Sequence, residues 1–381
     1  MVKKIIIVIC LLLLVSCTTN NNSNIKKERT FLGNITDESG EMVLLLNTEV
    51  YLTTVNPLYK DALINIAKSQ IAKYHKLFDS HHYYLDENNE RITNIKVLND
   101  NINKGPIEVD PIIIEALQES INLMKLTNGY FNISLGKLSS LYKDKFLPYD
   151  SYNDDPSIKD IKQCTKGIIE IDSIDQLIII DEINNTVELK SKDELYEIDL
   201  GAFSKGYIIN KVYDQLIGYN TSFLLTAGSS SIITYSVEKE NVSWNIGVID
   251  PNNHADNMFT FNLNNGAIST SGDYENYYFL KNGTRRHHIL NPYTGYSENY
   301  YHSNTLLSSN AFVIDALSTA LFNVKNKEER IQIISNIEKY YGITISYCFV
   351  KDDNDIFMNN SFKETLINNS SLEKNENIEI E

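Results

Sequence analysis

Helical and strand patterns follow one another along this chain without a regular strand-helix-strand beat, and that irregular order constrains the fold more than any single motif. A doubly wound parallel sheet needs the regular beat, so the pattern predicts an α+β chain with mixed or antiparallel sheets flanked by helices. Leu63, Ala67, Ile71, Tyr74 and Phe78 fall on one face of a helix near 58–79. Asp110 is a helix cap and Pro111 suits the first helical position, opening a helix that ends by Gly129. Strands are expected at 177–181 and 186–190, joined through Asn184 and Asn185, and again at 223–227, 244–249 and 266–270. Two later helices cover 310–324 and 327–341, the second closed by Gly342.

The N-terminal segment reads as an address. Lys3 and Lys4 precede an unbroken apolar run from Ile5 to Val15, too short for a stable membrane span and right for a signal peptide. Leu14-Val15-Ser16-Cys17 then looks like a bacterial lipobox, so residues 1–16 are expected to be removed and Cys17 to carry lipid. A simple secreted signal peptide is the alternative. Residues 17–30 read as a polar tether, 31–367 as the folded domain, and 368–381, rich in Asn, Ser and Glu, as a disordered tail. The expected location is a bacterial cell membrane, with the domain held by lipid and facing the periplasm or the outside. Of the four cysteines, Cys10 leaves with the signal, and Cys164 and Cys348 remain to pair or stay free. A formal charge of −16 argues against nucleic acid and against polybasic membrane contact. An anionic ligand then has to be held by local cations, helix N-termini or a metal.

Functional groups concentrate in residues 284–295, TRRHHILNPYTG. Pro292 fixes its own φ and biases Asn291 toward an extended conformation, while Gly295 lets the chain turn away with positive φ. A solvated basic turn is the plainer reading. Four more segments carry groups of interest. In 198–207, IDLGAFSKGY, an acidic residue and a small-residue turn open a helix, whose free N–H groups would face an anion with Lys205 one turn in. The strand end at 225–231, LTAGSSS, and the hydroxyl-rich 268–274, ISTSGDY, are polar turns common to many folds. In the helix at 310–324, Asp315 and Thr319 are four apart, so carboxylate and hydroxyl share a face and can share an oxygen-liking cation such as Mg²⁺. The alternatives there are a solvent-facing Asp and a Thr bonded to its own i−4 carbonyl. The P-loop, HExxH, GxGxxG and GxSxG patterns are absent.

Together DLGAFSKGY, LLTAGSS, WNIGVIDP, AISTSGDYENYY, RRHHILNPYTGY and DALSTALF stand in the order and spacing of the ApbE-type FAD:protein FMN transferases, which the chain resembles from about residue 46 to about 350. The resemblance implies a T-fold-like α+β architecture, Mg²⁺, FAD as donor and a protein Ser or Thr as acceptor, with release of AMP. It also implies lipoprotein character and, as acceptors, flavin-carrying subunits of redox-driven ion pumps. Residue by residue, Asp199 and Lys205 fall where the family contacts FAD, and Ala202 where a main-chain oxygen helps hold the metal with Asp315 and Thr319. His288 matches the histidine before the family's D/N-P-x-T-G. Tyr130, Phe131 and Asn132 resemble its flavin-contact segment, and Leu46-Asn47-Thr48 its entry strand. His82 aligns best with the aromatic position that stacks on the flavin or adenine, with Tyr83 next. Asn132 replaces Asp, Asn47 replaces Gly, Leu46 replaces Met, and Ser229-Ser230 replaces Gly-Asp. These departures surround the expected FAD pocket rather than the metal. His288 is the candidate base for the acceptor hydroxyl, with Asp315 or a metal-bound water as alternatives. Two other functions stay open: a Mg²⁺-dependent FAD pyrophosphatase giving FMN and AMP, and a non-catalytic flavin-binding or structural surface lipoprotein.

Overall fold

Along the central strands, successive residues point to opposite sides, and both sides are buried. Ala267 and Leu306 face one core, while Ile268 and Leu307 face another. A computed structural model describes residues 25–146, 152–192, 196–351, 355–368 and 378–381, so the signal segment and Cys17 lie outside the described residues. Its main sheet has nine strands, which stand side by side in chain order. They are β1 (Glu28–Phe31), β2 (Val50–Thr54), β3 (Phe223–Ala227), β4 (Ser231–Tyr235), β5 (Gly266–Gly272), β6 (Ser303–Ser308), β7 (Ser346–Val350), β8 (Ile356–Met358) and β9 (Ile378–Ile380). Every neighbouring pair is antiparallel except β8 with β9.

Helices cover one face: α1 (Lys60–Phe78), α2 (Pro111–Leu126), α3 (Gly201–Leu216), α4 (Ala311–Phe322) and α5 (Lys327–Tyr341). The other face is closed by the hairpin Asn245–Asp250 with Asn253–Asn262, whose Trp244, Val248 and Phe261 pack on Ile268, Leu307 and Cys348. In α4, Val313, Ile314, Leu317 and Leu321 have no solvent exposure, each removing apolar surface worth about 2 kcal/mol. The Asn310 side chain accepts from the Val313 N–H and sets where that helix starts. Gly206 brings α3 against α4 so closely that a Cβ there would stand 2.4 Å from the Ala311 carbonyl oxygen and 2.5 Å from Asp315 Cβ.

The strands expected at 177–181, 186–190, 223–227, 244–249 and 266–270 are found at 178–181, 186–189, 223–227, 245–250 and 266–272, and Asn185 makes the turn between the first two with φ of 51°. The α+β expectation therefore stands, with antiparallel pairing dominant.

Both chain ends carry more structure than composition suggested. β1 begins inside the expected tether because Glu28 pairs with Lys60 and the Arg29 guanidinium lies 3.8 Å from the Tyr51 ring centroid. In the expected tail, β9 brings Glu381 to within 2.5 Å of Arg330, which is only 2% exposed. A buried guanidinium needs a counter-charge, and polar composition alone could not reveal that need. Cys164 and Cys348 are not joined by a disulfide. Among the described residues no helix is long and apolar enough to cross a membrane.

Candidate active site

The start of α3, the end of β5, the inner face of α4, the end of α1 and several connecting segments enclose one cleft of about 490 Å³, within the usual range for a small-molecule site. Leu46, Tyr130, Phe131, Asn132, Asp199, Ala202, Lys205, His288, Asp315 and Thr319 all line it, although they come from widely separated parts of the chain.

At the α3 start, the Asp199 carboxylate accepts the Gly201 N–H at 2.8 Å and the Ser139 hydroxyl at 3.1 Å, capping the helix from outside. Lys205 is half-buried one turn in, and its Nζ reaches the Gly201 carbonyl at only 3.5 Å, so the ammonium remains available to a ligand. The positive end of α3 and one lysine thus border the cleft; the Gly201 N–H is taken by Asp199 and those of Phe203 and Ser204 by the Leu200 carbonyl, so it is the helix dipole and the ammonium, not a row of free amides, that suit phosphate. Across from them Asp315, 4% exposed, accepts three hydrogen bonds: Gly206 N–H at 2.8 Å, Ser231 Oγ at 2.9 Å and Ser269 Oγ at 3.1 Å. These donors fix the carboxylate's orientation. The Thr319 hydroxyl reaches back to the Asp315 carbonyl at 3.4 Å, a long bond that realises the i−4 alternative while leaving the oxygen on the cleft.

The twin histidines part company. His287 is fully buried, donates from Nε2 to the Glu298 carbonyl at 2.9 Å, and packs edge-on to Phe322. Burial presses its pKa down to about 4. His288 instead opens onto the cleft, with its backbone N–H held by the Asn276 carbonyl at 3.0 Å. The protein crowded around its ring, then His287 and Lys205, lower its pKa from the ordinary imidazole value, so the ring is neutral near pH 7 and able to accept a proton.

Two expected contacts are placed differently. His82 does not line the cleft; His81 does. Asp79 takes the backbone N–H groups of both residues and also binds His82 Nδ1 at 2.8 Å, which turns His82 inward and leaves His81 exposed. Tyr83 lies under the Arg91 guanidinium, 4.1 Å from the ring centroid, and donates to Asp100. Asn132 lines the cleft, but its polar atoms are engaged: Oδ1 accepts from Ser134 N–H and Oγ, and Nδ2 donates to the Ile169 carbonyl at 3.0 Å. An aspartate could make the first two bonds but not the third.

Four carboxylates line the cleft, from Asp79, Asp199, Glu275 and Asp315, against one lysine, Lys205. An anionic ligand is favoured there only with additional positive charge. Among the described residues no group of three or more His, Cys, Asp or Glu side chains is placed to hold a metal. The donors that do face the cleft beside Asp315 are oxygens, and an oxygen set with one carboxylate suits a hard cation that completes its shell with water and phosphate. The residues present therefore fit Mg²⁺.

A model of the ApbE family matches residues 46–341. The chain belongs to the ApbE family. It is similar to the FAD:protein FMN transferase of Haemophilus influenzae, 25% identical over 257 residues, which cover 66% of this chain and 72% of that one. It is 28% identical over 223 residues to the FAD:protein FMN transferase of Klebsiella pneumoniae, covering 58% of this chain and 65% of that one. Among solved structures, the ApbE protein of Thermotoga maritima superposes with a TM-score of 0.71 at 24% identity, covering 89% of this chain and 99% of that one. The flavin transferase ApbE from Vibrio cholerae gives 0.66 at 20% identity, covering 90% and 100%. At these identities the structural likeness is one of fold.

Four residues to which the motif reading gave no role belong to this ApbE site: His75 and His81 line the cleft, and Ser231 and Ser269, from segments read only as polar turns, stand behind it on Asp315. A signal existed for the serines. Ser269 and Ser271 are two apart on a strand and so share a face, and both reach Ser318 of α4, at 3.3 and 2.9 Å. His75 and His81 carried no comparable pattern.

Proposed function

We propose that this ApbE protein transfers FMN from FAD to a Ser or Thr hydroxyl of an acceptor protein in a Mg²⁺-dependent reaction that releases AMP. The observation that carries the reading is the meeting, in one cleft, of the α3 start with Lys205, the neutral imidazole of His288 and the Asp315/Thr319 oxygens. The names of the relatives at 25% and 28% identity support the same chemistry.

In this reading Lys205 and the positive end of α3 bind the diphosphate of FAD and stabilise the charge that builds on its oxygens. Asp315, Thr319 and the main chain of Ala202 would hold Mg²⁺, whose contribution there is to neutralise the diphosphate. Tyr130 and Phe131 form the apolar wall available to the isoalloxazine or adenine ring. The acceptor hydroxyl attacks the FMN phosphorus in line, its proton passing to His288, and the P–O bond to AMP breaks. Three donors on Asp315 keep that carboxylate in place throughout.

The test is incubation of the chain with FAD, Mg²⁺ and an acceptor threonine peptide. AMP released together with flavinylated peptide supports the transferase; AMP and FMN with unmodified peptide identify a pyrophosphatase instead.

The proposal extends to location. Lipid on Cys17 would hold the domain at a bacterial membrane, facing the periplasm or outside, within reach of acceptors such as flavin-carrying subunits of redox-driven ion pumps. Cys17→Ser is expected to move the protein from the membrane to the soluble fraction; equal membrane retention would contradict lipid anchoring.

A further inference from the structure

Leu46 and Asn47 turn the chain at one wall of the cleft with φ of 56° each. Two consecutive side-chain-bearing residues in the left-handed region persist only where their surroundings hold them. The holding contact is visible. The Leu46 N–H donates to Nδ1 of His75 at 2.9 Å, His75 Nε2 meets the Tyr84 hydroxyl at 3.0 Å, and that hydroxyl donates to Oδ2 of Asp79 at 2.7 Å. On its other oxygen Asp79 accepts the N–H groups of His81 at 2.6 Å and His82 at 3.1 Å.

The direction of this chain is determined. Because Nδ1 accepts from Leu46, the proton of the neutral ring sits on Nε2 and goes to Tyr84, whose own proton goes to the carboxylate. His75, Tyr84 and Asp79 are 4%, 0% and 6% exposed. Burial keeps the His75 imidazole neutral, against the pull of Asp79, so the acceptor for Leu46 stays open. One relay thus joins the strained turn on one wall to the His81 loop on the other.

We propose that His75, Tyr84 and Asp79 are positioning residues of the cleft, fixing the Leu46-Asn47 turn against the His81 loop and thereby setting affinity for FAD rather than the rate of the chemical step. The inference rests on the FAD reading above. Tyr84 is the discriminating member, since it is fully buried and touches the cleft only through its partners.

The experiment is titration of the full chain with FAD, followed by quenching of flavin fluorescence, beside steady-state kinetics and thermal melting. Tyr84→Phe removes one hydroxyl and keeps the ring. It is expected to raise Kd for FAD and KM about tenfold, the equivalent of one buried hydrogen bond, with kcat within about twofold of wild type. Adding Asn47→Gly, which adopts φ of 56° without strain, is expected to recover most of that affinity. A Tyr84→Phe chain that binds FAD as tightly as wild type overturns the inference. So does a loss that Asn47→Gly leaves unrepaired and that tracks a lower melting temperature, the mark of a merely structural role. A wild-type chain that binds no FAD overturns the FAD reading, and this inference falls with it.

Discussion

His75 and His287 are buried imidazoles whose pKa values burial holds at about 4, opposed by Asp79 in the first and by the Glu298 carbonyl in the second. In the unfolded chain each would titrate near about 6.5, so below that pH the unfolded state binds protons that the folded state refuses. Their contribution to stability is therefore complete above about pH 6.5 and is lost as the pH falls toward about 4, at a cost on the order of 3 kcal/mol for each. Denaturant midpoints measured from pH 7 to pH 5 should fall progressively; an unchanged midpoint would show that neither ring is held neutral. Residue type alone could not separate His287 from His288; only the resemblance to the family motif singled out His288. His287 ends a short strand, Arg285–His287, and His288 directly follows it, so only the change of side from one residue to the next sends the first inward to Phe322 and the second to the cleft. The same limit applies at His81 and His82, where the capture of two backbone amides by Asp79 decides which ring faces the cleft.

Among elements, the contact of α3 with α4 carries the site. Gly206 lets the two helices touch and donates its N–H to Asp315, so packing and carboxylate orientation depend on one residue. In Gly206→Ala the added methyl would meet backbone rather than a yielding side chain. The expected result is a loss of about 1–3 kcal/mol in stability with a larger fall in turnover, because Asp315 moves with α4. Equal stability and activity in that variant would remove this interface from the account. These elements were legible where sequence and local physics agree. The helix expected from residue 310 starts there because Asn310 caps α4, and Gly342 closed α5 with φ of 65°, as expected. Short strands at the chain ends were not legible, since β9 owes its place to the counter-charge that Glu381 gives Arg330, a partner far away in sequence.

For the whole molecule, the order of motifs was enough to foresee the ApbE family and the α+β fold, because five of the six motifs mark points where the chain comes to the cleft and the sixth, WNIGVIDP, builds the hairpin that closes the opposite face of the sheet. What the motifs lacked was the hydrogen-bonded support between them, the serines on Asp315 and the relay behind Leu46, which exists only once distant segments pack. The acidic surface and the four carboxylates of the cleft also acquire a shared consequence. A diphosphate enters this site against repulsion unless a divalent cation accompanies it. The most direct measurement is intact mass spectrometry of an acceptor-threonine peptide incubated with the chain, FAD and Mg²⁺, beside Asp315→Ala, His288→Ala and a chelator control. The account predicts one FMN moiety added per peptide by wild type, and a loss of at least about a hundredfold in each control. Peptide left unmodified by the wild-type chain while FAD is cleaved, or modification that survives both Asp315→Ala and chelation, would contradict it.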